Sequence, residues 1–254
     1  MDNSTVNDPL SWTAAALMSL NGVFGITMNA IVVHNFVSTP IERTSFNLIC
    51  AFRAAVNIII LILGFLATFV PLTLYGDSLF PPVHHAIVIT IVNSLYTGLQ
   101  NCGFLVAVNR FFAMFFMVFY SKYFTVSVTF VKTKCFSTYV SEYLSWRPTR
   151  NPDCLNKYAD VVDGSIIILI ALVVINTLTF MKIYIFYKKT DLNSKDVKTR
   201  MRKNRILFAQ TIFQDLTYLI DMLFTFNLSS LSSARLWSFI CGSFVWESVH
   251  SSDG

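Results

Sequence analysis

The sequence predicts an all-α integral membrane protein built as a bundle of seven helices. Of its 254 residues, 54% are hydrophobic and only 13% are charged, whereas soluble domains are about a quarter charged. Its charges are absent from long stretches and concentrated in one short segment. Seven spans of roughly 20 residues would use about 140 residues, which leaves no separate soluble domain. These observations exclude a cytosolic enzyme, a nucleic-acid-binding module and a disulfide-rich secreted domain.

Four stretches without Asp, Glu, Lys or Arg predict the first, second, third and fifth helices. Each is long enough to cross a bilayer as a helix. The charge-free stretches are 9–41, 54–76, 78–109 and 164–181, and the spans we expect from them are about 12–35, 50–75, 84–117 and 163–187. The first span follows Asp2 and Asp8 with no basic residue before Arg43. A cleavable signal peptide has a basic beginning, so we expect this span to be retained.

The sixth and seventh spans are less regular. We place the sixth at about 206–227, an apolar stretch that carries Asp215 and Asp221. The seventh, at about 236–254, begins with apolar residues and then carries several ionisable ones before the chain stops. We therefore expect a truncated seventh helix.

The fourth span is required by topology but poorly encoded. Two segments on the same side of a membrane are separated by an even number of crossings. The end of the third span and the basic loop are both expected inside, so one crossing besides the fifth span has to fall between 111 and 162. The best candidate, 123–146, contains Lys132, Lys134 and Glu142, and each charge costs roughly 2.5–3.5 kcal/mol at a helix centre. Part of it also alternates like a strand. We expect a degenerate fourth helix here: a shortened helix, an interfacial stretch or a loop.

The orientation follows from the basic residues. Nine of the nineteen Lys and Arg residues fall between Lys182 and Arg205, and cytoplasmic loops carry the excess of such residues. The N-terminus and the loop near 76–84 carry none. We expect a multi-pass membrane protein with its N-terminus outside and the basic loop 182–205 in the cytoplasm.

Three motifs lie at positions typical of one receptor superfamily. Asn29 stands in the first span within MNAIV, Asn47 and Asn57 lie ten residues apart in the second, and Asn109-Arg110-Phe111 ends the third. These resemble the first-helix Asn, the second-helix Asn and Asp, and the third-helix Asp-Arg-Tyr of rhodopsin-like G protein-coupled receptors. Position alone leaves a second interpretation of Arg110 open, as an interfacial arginine whose guanidinium reaches the lipid headgroups.

A closer resemblance extends over most of the helices. The blocks TPIERTSFNLICAFRAAVN, AVNRFFAMFF followed by YSKYFT, QDLTYLID and FVWESVHSSDG resemble the nematode serpentine chemosensory receptors of class x (Srx). The resemblance implies a chemosensory receptor that binds a small-molecule ligand in the outer cavity of its bundle. It also implies coupling to a heterotrimeric G protein at the inner face through Asn109, Arg110 and Phe111. The short basic loop would suit that partner or the anionic lipid bilayer.

The chain also departs from the larger superfamily. Asn57 replaces the second-helix carboxylate, so the sodium site of that superfamily is not expected. The outer end of the third helix carries His84 and His85 instead of a cysteine, and neither Cys-Trp-x-Pro nor Asn-Pro-x-x-Tyr occurs. Two interpretations besides a signalling receptor stay open: a small transporter or channel, and an incomplete receptor that does not signal.

The polar residues inside the predicted spans are the remaining candidates. We assign Asn29 and Asn57 to polar contacts between helices. Intramembrane carboxylates indicate function by default, so Asp221 is a candidate ligand contact. Capture of this carboxylate by a neighbouring hydroxyl or amide is the alternative. No catalytic or metal-binding motif is present, so the sequence predicts neither an enzyme nor a cofactor.

Overall fold

The structure of the chain is a computed structural model, which describes part of its residues. The described residues are 8–40, 45–115, 137–148, 167, 170–182, 184–185, 212–213 and 216–253. The chain divides into two compact units. The first contains Met1–Leu99, Thr133–Tyr158 and Ile220–Gly254, and the second contains Gln100–Lys132 and Ala159–Leu219.

The first helix, α1 (Pro9–Ser38), has its apolar side chains outward. It begins with a proline, whose missing N–H is not needed in a first turn, and ends where the N–H of Thr39 bonds to the Asn35 carbonyl. Its buried residues are mostly small or polar: Ser11, Ala14, Ala15, Met18, Gly22, Gly25 and Asn29. Its exposed residues are large and apolar, among them Leu20, Val23, Phe24 and Ile31. Small inward and apolar outward residues are typical of helices packed in lipid.

The second helical segment is continuous from 45 to 75 but changes its winding. It consists of α2 (Ser45–Ile60), a π-helix (Leu61–Phe69) and α3 (Val70–Tyr75). Pro71 is the second residue after the π-helix, and a proline cannot donate a backbone hydrogen bond within a regular helix. The segment ends at Gly76, whose φ of 74° is the left-handed conformation that glycine adopts at low cost. By length and composition, this segment and α1 can each cross a membrane.

The third apolar stretch forms one long helix, α4 (Pro82–Phe115), of 34 residues. At 1.5 Å per residue it is about 50 Å long, well beyond the roughly 30 Å of a hydrocarbon core. A helix of this length must tilt or extend past the core.

A β-hairpin lies where the end of the fourth span was expected. Strand β1 (Ser137–Val140) pairs antiparallel with β2 (Ser145–Pro148), with Tyr139 opposite Trp146. The last ten residues of the stretch 123–146 are therefore strand and turn instead of helix. The earlier part, 123–136, lies outside the described residues, and the boundaries of the fourth span stay a prediction.

The fifth and sixth helices are described only in part, and their expected boundaries stay predictions. The described part of the fifth stretch is α5 (Ile170–Lys182), and the sixth is α6 (Leu216–Leu231), which includes a π-helix at Leu223–Asn227. The last helix comprises α7 (Arg235–Phe239), a π-helix (Ile240–Phe244) and α8 (Val245–Ser252). The basic loop 182–205 lies almost entirely outside the described residues, so its side of the membrane stays a prediction.

The apolar core of the first unit connects the hairpin with the helices. Its largest fully buried apolar side chains come mostly from the second segment, among them Phe65 and Phe69. Met18 of α1, Leu99 of α4 and Leu144 of the hairpin are also fully buried. The core thereby fixes where the hairpin rests, and the polar groups described below lie beside it.

Candidate functional site

Five buried polar side chains from three helices form a network that we call the polar junction. They are Asn29, Arg53, Asn57, His250 and Asp253. Asn29 donates to the carbonyls of Gly25 (2.8 Å) and His250 (3.1 Å), so one amide connects α1 with α8. Burying unsatisfied polar groups is costly in an apolar environment, and these contacts explain how the helices tolerate them.

An ion pair closes one side of the polar junction. Arg53 of α2 donates through Nη2 to Oδ1 of Asp253 at 2.7 Å and through Nε to Oδ2 at 3.3 Å. Both side chains are almost completely buried. Two-point contact between a guanidinium and a carboxylate is the strongest geometry available to such a pair. The pair therefore ties the second segment to the end of the last helix.

Asn57 lies at the centre of the polar junction. Its Nδ2 donates to Oδ2 of Asp253 at 3.0 Å and approaches Oδ1 of Asn29 at 3.5 Å. Its Oδ1 lies 2.8 Å from Nδ1 of His250. Because one amide meets partners on both other helices, a shift of any of the three helices changes bonds to the other two.

A second set of contacts brings α1 against the last helix. Asn21 donates to Glu247 Oε2 at 3.1 Å, and the Ser251 hydroxyl donates to the Asn21 carbonyl at 3.1 Å. Gly25 permits this approach, because a Cβ there would lie 2.7 Å from the Ser251 Cα. Close helix contact across small residues is the usual packing mode in membranes.

Five aromatic rings contact one another beside the hairpin, in a group that we call the aromatic cluster. They are Phe65, Tyr96, Tyr139, Trp146 and Trp246. The Trp246 ring has its centroid 5.0 Å from Phe65, 5.5 Å from Tyr96 and 5.1 Å from Trp146. All three contacts are edge-to-face, the arrangement that aromatic quadrupoles favour.

Hydrogen bonds hold the hairpin on the helices. The Thr73 and Tyr139 hydroxyls lie 2.6 Å apart, and Ser243 donates to the Leu144 carbonyl at 2.8 Å. Burial raises the pKa of the Tyr139 phenol, which keeps its hydroxyl protonated for this bond. The π-helix of the last helix admits β2 at Gly242, where a Cβ would collide with Ser145.

Arg235, at the start of the last helix, connects that helix with α1 and with the hairpin. Arg235 donates to Asp8 Oδ2 and Ser11 Oγ, both at 2.8 Å, and to the Ser141 carbonyl at 3.3 Å. It thereby connects the start of α1, the hairpin turn and the start of the last helix.

The candidate ligand contact Asp221 is buried and has hydroxyl partners. Tyr96 donates to its Oδ2 at 2.9 Å, and Thr225 donates to its Oδ1 at 3.3 Å. Capture by hydroxyls was the alternative that the sequence left open. Contact with a ligand stays a prediction.

The other candidate residues are placed in different ways. Asn29 and Asn57 meet in the polar junction, and their assigned role in helix packing stays a prediction. Asn109, Arg110 and Phe111 lie within two turns of the end of α4. The role of these three in coupling to a G protein also stays a prediction.

Sequence reasoning gave no role to Arg53, His250 or Asp253. The available signal was a lone arginine inside an apolar helix, since a charge at that depth requires a partner. Four acidic residues in the last two spans could have been the partner of Arg53. They are Asp215, Asp221, Glu247 and Asp253. Only the packing of the helices selects Asp253.

Apolar helices with polar inward faces and a buried ion pair between helices define a polytopic α-helical membrane protein. The family comparison specifies which kind. The model described as "Serpentine type 7TM GPCR chemoreceptor Srx" matches residues 20–133 and 126–254. The chain therefore belongs to the Srx family, a family of seven-helix membrane receptors and not of enzymes, and the resemblance seen in the sequence is confirmed. No curated protein is similar enough to count as a match.

Proposed function

We propose that this chain is a G protein-coupled chemosensory receptor that binds a small ligand in the outer half of its bundle. The observation that carries the proposal is the family match over residues 20–254. In this proposal, the end of the helices that carries the hairpin faces outward, and the basic loop 182–205 faces the cytoplasm.

The polar junction supports a signalling role by its chemistry. Networks of buried hydrogen bonds have discrete arrangements, because each donor must find another acceptor when it moves. A ligand signals by favouring one of two such arrangements. Since Asn57 bonds to partners from both other helices, the polar junction is suited to change as a unit.

The inner face of the receptor would carry the coupling step. Arg110 lies close to the C-terminus of α4, where a guanidinium can exchange partners inside the protein for carbonyl acceptors of a G protein. Asn109 and Phe111 flank it in the motif. We propose these three residues as the coupling motif.

The test is nucleotide exchange on co-expressed heterotrimeric G proteins, with surface abundance measured by an N-terminal tag on intact cells. We expect exchange above that of cells without the receptor, and a loss of at least fivefold in Arg110→Ala with unchanged abundance. Lys157→Ala, in the segment that we expect outside between the fourth and fifth spans, is the matched control for removal of one positive charge. Exchange absent with every G protein class would overturn the proposal. An equal loss of exchange and abundance in Arg110→Ala would make Arg110 a structural, headgroup-contacting residue.

A further inference from the structure

Two tryptophans in contact, one on the hairpin and one on the last helix, each bury an indole N–H. The Trp146 and Trp246 rings lie 5.1 Å apart at 85°, and their residues are 9% and 8% exposed. Neither Nε1 has a hydrogen-bond partner among the described residues. A buried donor without a partner costs about 1–3 kcal/mol, so such a pair is an unusual arrangement.

Another tryptophan of the same chain shows how an indole is ordinarily satisfied. Trp237, nine residues before Trp246 on the same helix, donates its N–H to the Leu228 carbonyl at 2.8 Å. Tryptophans in interiors usually find such a partner. The Trp146–Trp246 pair therefore offers two donors in one aromatic environment.

Two acidic side chains of the helices near this pair face other groups. Glu247 follows Trp246 in sequence, but its carboxylate lies against α1. Its Oε2 accepts from Asn21, and its Oε1, which has no hydrogen-bond partner among the described residues, lies 3.0 Å from the position of a Gly22 Cβ. Asp221 accepts from Tyr96 and Thr225. The indoles are surrounded instead by the rings of Phe65, Tyr96, Tyr139 and His250. Such an environment favours an uncharged, apolar molecule over a cation held by a carboxylate.

We propose that Trp146 and Trp246 form a ligand subsite for small, uncharged carbonyl compounds with an apolar or aromatic body. The carbonyl oxygen accepts the indole N–H groups, and the body of the molecule packs on the aromatic cluster. Because the two rings are already in contact, binding moves them apart, and the hairpin that carries Trp146 yields. This subsite rests on the proposed receptor function and names the ligand class for it.

The experiment uses three probes of nearly the same shape. Acetophenone carries the carbonyl, ethylbenzene lacks the oxygen, and 1-phenylethylamine carries an ammonium group. The full chain is labelled with ¹⁵N-tryptophan and placed in lipid nanodiscs. Its four tryptophans give four indole N–H signals, which single Trp→Phe variants assign. Phenylalanine keeps an aromatic ring at each position and removes the N–H group.

We expect acetophenone to move the Trp146 and Trp246 signals saturably and downfield, while those of Trp12 and Trp237 stay in place. Acetophenone should bind more tightly than ethylbenzene by about two- to tenfold per hydrogen bond. The ratio should fall to about one in the variant that combines Trp146→Phe with Trp246→Phe. Trp12→Phe, at an exposed position of α1, is the matched control and should keep the ratio.

Three results would overturn the subsite. They are equal shifts with ethylbenzene, tighter binding of 1-phenylethylamine, and the absence of a saturable shift with acetophenone. The measurement needs no G protein, so it separates the two proposals. Binding without nucleotide exchange would contradict the receptor mechanism and leave the subsite in place. Exchange without acetophenone binding would do the reverse.

Discussion

The polar junction and the aromatic cluster belong to the same unit but are held together by different forces. The first depends on directional bonds, including a buried ion pair with a 2.7 Å contact. The second depends on edge-to-face ring contacts with centroids 5.0–5.5 Å apart, which tolerate small displacements at little cost. His250 touches both, since its ring lies 5.8 Å from Trp246 and its Nδ1 2.8 Å from Asn57. The end of the last helix at Asp253 is therefore fixed in position, while the part that carries Trp246 can adapt.

The largest effect should come from breaking the ion pair of the polar junction. Arg53→Met leaves the Asp253 carboxylate buried without its cation, which costs about 3–5 kcal/mol in comparable pairs. We expect the lowest thermal midpoint of all the variants considered, measured on the purified chain in nanodiscs.

The double variant Arg53→Met/Asp253→Asn is the control for this change. It removes both charges, so it should recover a large part of the lost midpoint. If Arg53→Met were as stable as the native chain, the ion pair would contribute nothing to stability. The polar junction would then be no more rigid than the aromatic cluster.

The next effect tests the close approach of α1 to the last helix. Gly25→Ala places a Cβ 2.6 Å from the Ser251 Cβ, so the helices must separate and the Asn29 bond to His250 must lengthen. We expect a destabilisation of about 1–3 kcal/mol, measured by thermal unfolding in the same nanodiscs.

Gly98→Ala is the matched control, because nothing lies within 4 Å of a Cβ at Gly98. There the higher helix propensity of alanine should leave stability unchanged or slightly raised. Equal losses at both glycines would mean that helix packing at Gly25 is looser than the structure indicates.

A smaller effect should follow at the hairpin. Gly242→Ala brings a methyl group against Ser145, whose hydroxyl can rotate away but whose Cβ would stay at 3.1 Å. We expect a loss of roughly 1 kcal/mol and faster proteolysis within residues 137–148. Adding Ser145→Gly should restore resistance to the protease. Unchanged proteolysis in Gly242→Ala would show that the hairpin does not rest on the π-helix.

The smallest effect should come from Arg235→Ala. Arg235 and Asp8 are partly exposed, with side-chain exposures of 20% and 39%, and pairs of this kind contribute about 0–1 kcal/mol. We expect a midpoint slightly below that of the native chain in low salt, and a smaller difference in high salt. A loss as large as that of Arg53→Met would make this end of the molecule as rigid as the polar junction.

The charge-free stretches 9–41, 54–76 and 78–109 lie mostly within helices of the described residues, because lipid disfavours charges along a span. The changes of winding within them are harder to predict. Pro71 signals an irregularity in the second segment, but the π-helix at 240–244 contains no proline. Its position depends on how Gly242 and Ser243 meet the hairpin, which is a tertiary contact.

The candidate site was predicted only in part for a similar reason. Asn29 and Asn57 were selected from their motif, and the structure puts them in one network. Their partners His250 and Asp253 lie about 200 positions away in sequence. The sequence of a single chain shows that Arg53 needs an anion, but not which of the available carboxylates the fold brings near.

The π-helices also affect which way the residues that follow them face. A π-helix holds one residue more than the α-helical turn that it replaces. Removing a residue from 240–244 could therefore be absorbed by rewinding to α-helix, and Trp246 and His250 would keep their present sides. In α1, which has regular winding, the same deletion would rotate every later residue by about 100°, turning Asn29 away from Asn57. A residue can therefore be lost from the stretch 240–244 without changing the direction in which the following residues face.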